Sequence, residues 1–514
     1  MQGEFEEFFK DQKFGPRNGF EPREFQVSAL FDFIAFSNQP KVMESGRRVG
    51  WIFNGGTGAG KTKLSALVAS HSLNVGGAKQ VVVVVPNKTI LRKTKADFLK
   101  FFGIDLAVFN KRKHSDGVPR LQQGYILTYA ALLSDPTLHR RLCSFTDTLV
   151  IFDEIHHLGD DPGSMWGARA IEAFGEAAHI VGLTGTPYRC DNSFIPFVEY
   201  FPTERSGLMR FKANKTYALG EAVADGYCRK PKFIFHYGEV KIRSGEDWKK
   251  ISFHDSVSED MARERLRGAV VFGSSTRKDM LRRALEQCRL EKRKVIIFLG
   301  GDTDGDTTPT NDATNYLPAE LVELGLGSGD YEVVTGDDPT AQKRIDEFPK
   351  HPTKWILVSI QMVSEGTDIP PLSAAIFLTS ITAKQTTIQR IGRVLRMMEN
   401  DPHKDALIFM FADSNLKQLA REIEDEVQHE INLKKRRERE GNGEGGANKP
   451  KQKTEAIGVG DAPVDSVITS LKSGKVVEFE GAEITEVMSR LKDAGQSCSY
   501  ENAVSYLLGR KGEL

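Results

Sequence analysis

Residues 51–62 read WIFNGGTGAGKT, and this stretch decides the fold. Its apolar start predicts a buried strand, and its glycines predict a loop whose backbone N–H groups can face an anion. A helix is expected to begin near Lys63. This order predicts a cradle for phosphate, in which Lys61 reaches the outer phosphates and the Thr62 hydroxyl can bind magnesium. The predicted cradle consists of Gly55, Gly56, Thr57, Gly58, Ala59, Gly60, Lys61 and Thr62.

An acidic pair follows another apolar strand. The residues TLVIF end directly before Asp153 and Glu154, and ligands of open α/β sheets bind at the carboxyl ends of strands. Asp153 is predicted to hold Mg²⁺, directly or through water, and Glu154 is predicted to polarise an attacking water. An Asp-Glu pair alone more often begins a solvated loop. Its combination with the predicted phosphate cradle, which has the sequence pattern of a P-loop, favours the catalytic interpretation.

Short apolar strands alternate with helical segments in two parts of the chain. The first series runs from about Trp51 to Val181, and the second begins at Val295. Near-continuous β-branched runs of this kind are typical of parallel sheets that are buried on both faces. We therefore predict an α/β protein with two tandem parallel-sheet domains and a small helical C-terminal appendage.

Domain boundaries are predicted from changes in composition. The sequence GNGEGGANKPKQK is typical of a flexible linker. The turn-rich sequence that carries Asp302, Asp304 and Asp306 lacks the spacing and the distal Glu of a calcium loop, so a solvated turn is favoured. The predicted segments are 1–212 (first domain), 213–293 (connector or helical insertion), 294–425 (second domain), 426–453 (charged helix and linker) and 454–514 (appendage).

Composition limits the remaining possibilities. The 514 residues are too many for one hydrophobic core, and 70 basic residues balance 70 acidic ones, so a surface for nucleic acid has to be local. The acidic N-terminus does not resemble a secretory signal, and no run approaches the about 20 apolar residues that cross a bilayer. These features predict a cytoplasmic protein with no membrane partner. Five cysteines without paired spacing are predicted to be free thiols: Cys143, Cys190, Cys228, Cys288 and Cys498.

Five motifs, in this order, are similar to those of a known family. GGTGAGKT, DEIH, LTGTPYR, SEGTDIP and QRIGRVLR resemble the motifs of the superfamily 2 DExH helicases. Within that superfamily, DEIHHLGDD, WGARAIEAF, LTGTPYRCD and IPFVEY are similar to the group related to the motor subunits of type I and type III restriction enzymes. The resemblance covers about residues 20–425. It implies two RecA-like domains, with ATP and Mg²⁺ bound between them.

The last of these motifs supplies the second half of the implied ATPase site. Arg393 and Arg396 lie three residues apart on a presumed helix and would share one face. The resemblance implies that both are arginine fingers, which stabilise charge on the transferred phosphoryl group. It also implies that Gln389 contacts the phosphate end of the site and communicates with His156. Seen alone, a basic helical face is usually just solvated.

Two further segments are implied to contact the nucleotide. In SEGTDIP, Gly366 permits a close backbone approach, and Asp368 can accept a hydrogen bond from the ribose. The sequence EPREFQVSAL resembles the adenine-reading motif of the family, in which Gln26 offers a donor and an acceptor to the base. Phe20 or Arg23 is a candidate to stack on the ring.

The resemblance also implies a path for nucleic acid, held mainly through its phosphates. Thr184 and Thr186 of LTGTPYR would link hydrolysis to the grip on the strand. The basic run 434–437 is at least as typical of a solvated helix end. Each candidate contact, taken alone, is more typical of a helix cap or a turn. The candidates are Pro86, Asn87, Lys88, Thr128, Thr335, Gly336, Ser364 and Thr367.

Three functions stay open at this stage. The leading one is an ATP-dependent helicase or double-strand DNA translocase, with DNA favoured over RNA, although phosphate contacts alone do not distinguish the two sugars. The second is the motor subunit of a restriction or phage-defence complex, in which partner subunits would supply the nuclease. The third is an ATP-gated clamp that holds DNA without travelling. The intact catalytic motifs favour turnover over mere binding.

Overall fold

The structure is a computed structural model in which the chain divides into two compact units, residues 1–222 and 223–514. Each unit is built on one main sheet, of seven strands in the first and six in the second. The structure describes residues 12–39, 48–56, 58–110, 122–144, 146–159, 165–185, 194–202, 209–244, 247–300, 308–336, 338–360, 369, 372–398, 401–425, 427, 466–469 and 476–479.

Local signals set the ends of several helices in the first unit. Asn87 accepts hydrogen bonds from the N–H groups of Thr89 and Ile90 where one helix begins, and Gly103 ends that helix with φ of 69°. The elements are α1 (Glu24–Ser37), β1 (Trp51–Gly55), α2 (Lys61–Asn74), β2 (Gln80–Val85), α3 (Lys88–Phe102), β3 (Ala107–Val108), β4 (Gly124–Thr128), α4 (Tyr129–Leu132), α5 (Pro136–Ser144), β5 (Thr148–Asp153), a 3₁₀ turn (Ile155–His157), α6 (Met165–Phe174), β6 (His179–Thr184), β7 (Tyr200–Pro202), β8 (Met209–Phe211), β9 (Lys215–Tyr217) and α7 (Leu219–Ala224), which extends into the second unit.

The strands of the first sheet lie in the order β3-β4-β2-β5-β6-β1-β9, and every pair is parallel. All residues of β2 and of β5 are buried, as expected for a sheet that is covered on both faces. Parallel strands end at a common edge. The loops that follow β1, β5, β2 and β4 are therefore brought to the same edge of the sheet.

The second unit contains a parallel sheet in the order β10-β17-β16-β13-β15-β14. Its elements are β10 (Lys230–His236), β11 (Glu239–Ser244), β12 (Asp247–Ser252), α8 (Glu259–Val270), α9 (Ser275–Leu290), β13 (Lys294–Gly300), α10 (Pro309–Asn311, a π-helical turn Asp312–Tyr316, then Leu317–Glu323), β14 (Tyr331–Val334), α11 (Ala341–Glu347), a 3₁₀ turn (Phe348–Lys350), β15 (Ile356–Ser359), β16 (Leu372–Thr379), α12 (Lys384–Ile391), β17 (Asp405–Phe411), α13 (414–425), β18 (Ser466–Thr469) and β19 (Val476–Phe479).

The core of the second unit contains a buried ionic cluster beside its helices. Leu266 of α8 and Leu281 of α9 pack in one cluster with the central strands. Arg277 of α9 is fully buried and donates to both oxygens of Asp312 at 2.7 Å and to Glu320 at 2.8 Å. Such a cluster is costly to disrupt, because removing one partner leaves a buried charge without its counterion.

The predicted α/β class with two tandem parallel-sheet domains is confirmed, but residues 213–293 do not form a separate connector. Strand β9 pairs with β1 at the edge of the first sheet, whereas β10 pairs with β17 at the edge of the second. The boundary of the two units falls after Ala222, within α7. Composition does not reveal this division, because strand pairing joins residues that are far apart in sequence.

The described part of the predicted helical appendage is not helical. Its residues form an antiparallel pair, β18 with β19, and the β-branched residues in SVIT and VVEF favour strands. The remainder of segments 426–453 and 454–514, apart from residue 427, lies outside the described residues, as do Asp302, Asp304 and Asp306.

The predictions about the cysteines and about membrane-spanning helices can be compared with the described residues. Cys143, Cys228 and Cys288 are buried free thiols, while Cys190 and Cys498 fall outside the described residues. Within them, no helix combines the length and the apolar character that crossing a membrane requires.

Candidate nucleotide-binding site

The glycine-rich loop joins β1 to α2 at the carboxyl edge of the first sheet. Gly58 and Gly60 both have φ of 89°, a left-handed conformation that is strained for any residue with a Cβ atom. The Ala59 N–H donates to the Gly56 carbonyl at 3.1 Å, and the Gly56 N–H donates to Tyr217 at 2.9 Å. Strand β9 therefore holds the base of the loop. Thr57 lies outside the described residues.

Lys61 brings the loop and the acidic pair together. Its Nζ lies 3.2 Å from the Gly55 carbonyl oxygen and 3.2 Å from Oε1 of Glu154. The side chain of Lys61 is 12% exposed, and that of Glu154 is 21% exposed, so neither charge is fully hydrated. Two motifs separated by about ninety residues of sequence thus meet in one charged contact, as the P-loop interpretation requires.

The two carboxyl groups of the acidic pair have opposite pKa shifts. Burial and the neighbouring Glu154 raise the pKa of Asp153 above its ordinary value. Burial acts in the same direction on Glu154, but Lys61 and His156 outweigh it and hold the pKa of Glu154 below its ordinary value. Glu154 is therefore the ionised partner, able to accept a hydrogen bond from water. A cation bound beside Asp153 would favour the charged form of its carboxyl group, which burial and Glu154 disfavour.

The backbone of Glu154 is left-handed, with φ of 53° and ψ of 57°. This conformation turns the chain sharply between β5 and the following 3₁₀ turn. Oε2 of Glu154 accepts a hydrogen bond from the Gly185 N–H at 3.3 Å and lies 3.4 Å from Nδ1 of His156. The same His156 nitrogen lies 2.9 Å from the Thr184 hydroxyl. The LTGTP motif is therefore bonded to the acidic motif through buried groups.

Gln26 lies beside the loop, and both ends of its amide are bonded to the protein. Its Nε2 donates to the Gly60 carbonyl at 3.1 Å, and its Oε1 accepts from the backbone N–H of Arg23 at 3.0 Å. Arg23 also donates to the Ala59 carbonyl at 3.4 Å. Phe20 contacts the ring of Phe101 with centroids 5.6 Å apart. In this structure Gln26 and Arg23 hold the loop, and Phe20 packs in an aromatic cluster.

Two tyrosines that sequence reasoning missed support the site. The Tyr129 hydroxyl donates to the Asp153 carbonyl at 2.8 Å, which ties the end of β5 to α4. Tyr217 supplies the carbonyl that holds Gly56 and stacks on Phe25 of α1 with ring centroids 3.9 Å apart. Neither residue carries a motif. The sequence offers one hint, for Tyr129: it is an aromatic residue directly after Thr128 in LTYAAL, which indicates a residue that packs against its neighbours.

The arginine-bearing motif of the second unit is not a continuous helix. Helix α12 contains Gln389 but ends at Ile391, and the N–H groups of Arg393 and Val394 bond three residues back, to Arg390 and Ile391, at 3.1 and 3.0 Å. The expectation that Arg393 and Arg396 share one helical face is therefore wrong. Contacts with a distant segment replace the helical bonds, since Arg396 forms an antiparallel bridge with Cys228.

Exposure separates the arginines of this motif. Arg393 is 6% exposed and Arg390 is 2% exposed, whereas Arg396 and Gln389 are half-buried. Arg390, which sequence reasoning passed over, lies over the ring of Phe298 at 5.3 Å, and burial lowers its pKa to about 10. The half-buried Arg396 is the more accessible of the two finger candidates in this conformation.

The nucleic-acid candidates that the structure describes lie at or directly after the carboxyl ends of strands. Asn87 caps α3, and the exposed Lys88 is the first residue of that helix. Thr128 ends β4 and caps α4, accepting from the Ala131 N–H at 3.3 Å. Thr335 is buried after β14 and precedes the exposed Gly336. Pro86 directly follows β2. Ser364 and Thr367 lie outside the described residues, as do Thr186 and the predicted nucleotide contacts Gly366 and Asp368.

Comparison with known proteins agrees with this arrangement. A family model described as the res subunit of type III restriction enzymes matches residues 19–189, and one described as the helicase conserved C-terminal domain matches residues 276–398. An uncharacterised protein of Mycobacterium tuberculosis is 32% identical over 421 residues, which is 80% of this chain and 67% of that protein.

More distant relatives have named activities. The DNA 3'-5' translocase XPB2 of Sulfurisphaera tokodaii is 23% identical over 369 residues, covering 67% of this chain and 74% of that protein. A solved fragment assigned to the HsdR subunit of a type I restriction enzyme from Vibrio vulnificus YJ016 matches with a TM-score of 0.52 and 18% identity, covering 80% of this chain and 69% of that one. That likeness shows a shared fold.

The fold and the site define a P-loop motor protein with two RecA-like domains. The chain belongs to the superfamily 2 helicases, the ATP-dependent nucleic-acid helicases and translocases, in the group related to the motor subunits of restriction enzymes.

Proposed function

We propose that this protein hydrolyses ATP with Mg²⁺ and uses the reaction to move along DNA, as a helicase or a double-strand translocase of the cytoplasm. One observation carries the proposal. The cradle lysine Lys61 and the candidate catalytic carboxylate Glu154 lie 3.2 Å apart at the edge of a parallel sheet, where ligands of this architecture bind.

The residues around this contact fit a nucleotide with its magnesium ion. The left-handed glycines Gly58 and Gly60 shape a loop suited to phosphate oxygens. Thr62, the second residue of α2, offers a hydroxyl, and Asp153 offers a buried carboxyl group beside that of Glu154. Such oxygen ligands, completed by phosphates and water, suit Mg²⁺. When bound, Mg²⁺ supplies positive charge that stabilises the phosphate oxygens.

The chain's own residues then have distinct tasks. Lys61 neutralises charge on the outer phosphates, and the ionised Glu154 orients the attacking water and accepts its proton. His156 and Gly185 restrain the carboxylate of Glu154, so that less ordering is needed at the moment of reaction. Arg393 and Arg396 stabilise the charge that develops on the transferred phosphoryl group, and Gln389 contacts the phosphate end of the nucleotide.

We propose that the remaining motif residues hold the base, the ribose and the nucleic acid. Gln26 reads the adenine edge with the second N–H and the second oxygen lone pair of its amide, beside those bonded to Gly60 and Arg23. Gly366 and Asp368 contact the ribose. The nucleic-acid strand runs across Lys88, Thr128, Thr335, Gly336, Ser364 and Thr367, held through its phosphates. The relation to a DNA translocase and to restriction-enzyme motors supports DNA over RNA as the substrate.

A second candidate function is the ATPase motor of a restriction or phage-defence complex. The match of residues 19–189 to the res subunit of type III restriction enzymes favours it. In that case partner subunits supply the nuclease, and the DNA-dependent ATPase activity of this chain is the same.

The test compares ATP hydrolysis with single-stranded DNA, duplex DNA, forked DNA and RNA at two salt concentrations. We expect DNA to stimulate turnover, and the stimulation to weaken as salt rises because phosphate contacts release counterions. Stimulation by RNA alone would exclude the DNA assignment. A single turnover without stimulation by any strand would favour an ATP-gated clamp.

A further inference from the structure

The segment that carries the finger candidates is held in place by a residue outside all recognised motifs. Arg229 precedes β10 and is 1% exposed. Its Nη1 donates to the Val394 carbonyl at 2.7 Å, and its backbone N–H donates to the Leu395 carbonyl at 2.7 Å. The preceding residue, Cys228, forms the bridge to Arg396. Two consecutive residues of the finger segment, Val394 and Leu395, are thus hydrogen-bonded to Arg229, and the next one, Arg396, lies opposite Cys228 in the bridge.

The same guanidinium organises the chain on both sides of the finger segment. Nη1 of Arg229 also donates to Leu372 at the start of β16 at 2.7 Å, and Nε donates to the His403 carbonyl at 3.2 Å. Nη2 pairs with Asp401. Asp401 in turn accepts from the N–H groups of Met398 and His403 at 3.3 and 3.0 Å. One buried planar cation therefore connects β16, the finger segment and the loop before β17.

These bonds take the place of helical ones. Helix α12 ends at Ile391, and among the described residues no N–H further along the chain makes a helical bond to the carbonyl groups of Val394 and Leu395. Buried carbonyl groups need hydrogen bonds, and Arg229 supplies one from its side chain and one from its backbone. Lysine cannot reproduce this set, because a single ammonium group lacks the planar fork that serves acceptors in several directions.

We infer that Arg229 is a positioning residue for the arginine fingers. It lies seven residues after Ala222, where the first unit ends, so the chain that enters the second unit is bonded to the finger segment at once. Arg229 fixes the backbone from which Arg393 and Arg396 project and thereby sets their reach towards the reacting phosphate. This inference rests on the proposed function.

The test is the full-length Arg229→Lys variant, assayed for kcat and for the KM of ATP with saturating duplex DNA. A displacement of a catalytic group by about 1 Å can cost about a hundredfold in rate. We therefore expect kcat to fall by about tenfold to a hundredfold while the KM for ATP changes by less than about threefold. Asp401→Asn, which weakens the anchor of the same guanidinium, is expected to lower kcat in the same direction by a smaller factor.

Arg277→Lys is the matched control. Arg277 belongs to the same unit, is as buried as Arg229 and is also bonded to carboxylates, yet its bonds go to Asp312, Glu320 and Val270. Compared at temperatures equally far below each variant's Tm, Arg277→Lys should keep the wild-type kcat. An equal loss of kcat in the two arginine variants would overturn the positioning role, since it would show a general effect of destabilisation.

A double variant separates this inference from the proposed function. If Arg229 acts through the fingers, Arg229→Lys should lower kcat by a smaller factor in an Arg396→Ala background than in the wild type, because the two changes affect one step and only Arg393 remains to be displaced. A full additional loss would refute the inference. Failure of the wild-type protein to hydrolyse ATP with any nucleic acid would instead refute the proposed function. A wild-type kcat in Arg229→Lys, beside an inactive Arg396→Ala, would leave the proposed function standing and remove only the inference.

Discussion

At the scale of single residues, the candidate site includes a strained backbone conformation at Glu154. A left-handed backbone at a residue other than glycine costs about 1–3 kcal/mol, and Glu154 adopts one with φ of 53°. The contacts with Lys61, His156 and Gly185 offset that cost. Strain of this kind is concentrated at functional sites, where it aims a side chain that a regular strand would direct elsewhere.

Replacing Lys61 tests the phosphate cradle. Lys61→Ala removes the cation that contacts both Gly55 and Glu154. We therefore expect the rate of ATP hydrolysis, measured as release of phosphate, to fall to background. Lys63→Ala is the control and should keep hydrolysis, because the Lys63 amine contacts the rings of Phe20 and Phe101, at 5.0 and 4.6 Å from their centroids, and not the acidic pair. Wild-type turnover in Lys61→Ala would exclude the assigned site.

Replacing Arg396 tests the finger role. Because a finger acts on charge that develops in the transition state, Arg396→Ala should bind a fluorescent ATP analogue with nearly wild-type affinity while turnover falls by about a thousandfold. Titration of the analogue and steady-state hydrolysis measure the two quantities. Loss of binding in a variant that keeps the wild-type Tm would argue against the finger role.

At the scale of elements, a buried histidine joins helix α5 to the first sheet. Nδ1 of His139 lies 3.0 Å from the hydroxyl of Tyr125 in β4, and its ring packs against Phe109 and Phe174. Burial lowers the pKa of His139 to about 4. The neutral ring is therefore part of the packing between α5, α6 and the strand.

This pKa shift predicts acid sensitivity of the first unit. Between pH 6.5 and about 4 the unfolded chain binds a proton at His139 that the folded chain does not, so the free energy of unfolding falls as pH falls. His139 alone should contribute a loss of about 2 kcal/mol between pH 7 and 5. We expect the free energy of unfolding, measured with urea, to decline less steeply with falling pH in His139→Asn than in the wild type. If the free energy of unfolding depended on pH in the same way in both proteins, the lowered pKa assigned to His139 would be contradicted.

At the scale of the whole molecule, the two units carry different parts of the proposed chemistry. Lys61 and Glu154 belong to the first unit, and Arg393 and Arg396 belong to the second. The proposal assigns both sets to the same ATP molecule on one chain. It therefore predicts how two inactive variants behave when they are mixed.

An equimolar mixture of Lys61→Ala and Arg396→Ala proteins should remain inactive with duplex DNA, because neither chain holds a complete set of catalytic residues. Each variant mixed with wild-type protein should leave the wild-type rate per active chain unchanged. Recovery of hydrolysis in the mixture of variants would mean that one chain donates its arginines to another, and it would exclude a site completed within a single chain.

The sequence alone determined the fold class and the principal motif positions. A P-loop is contiguous, and a strand buried on both faces is apolar along its length, so both are recorded in local sequence. The order of the motifs led to the superfamily. The bonds of Gln26 to the loop were not predicted, since the same residue at a helix start suits several partners.

Only the tertiary structure decided which sheet each strand joins and where the arginine segment leaves its helix. Strands β9 and β10 lie in one stretch of sequence yet pair with β1 and β17. Beyond the end of α12, Val394 and Leu395 are hydrogen-bonded to Arg229. The physical reason is the same in both cases. Hydrogen bonds between residues that are distant in sequence outweigh local preference, and no short pattern records which distant partner is chosen.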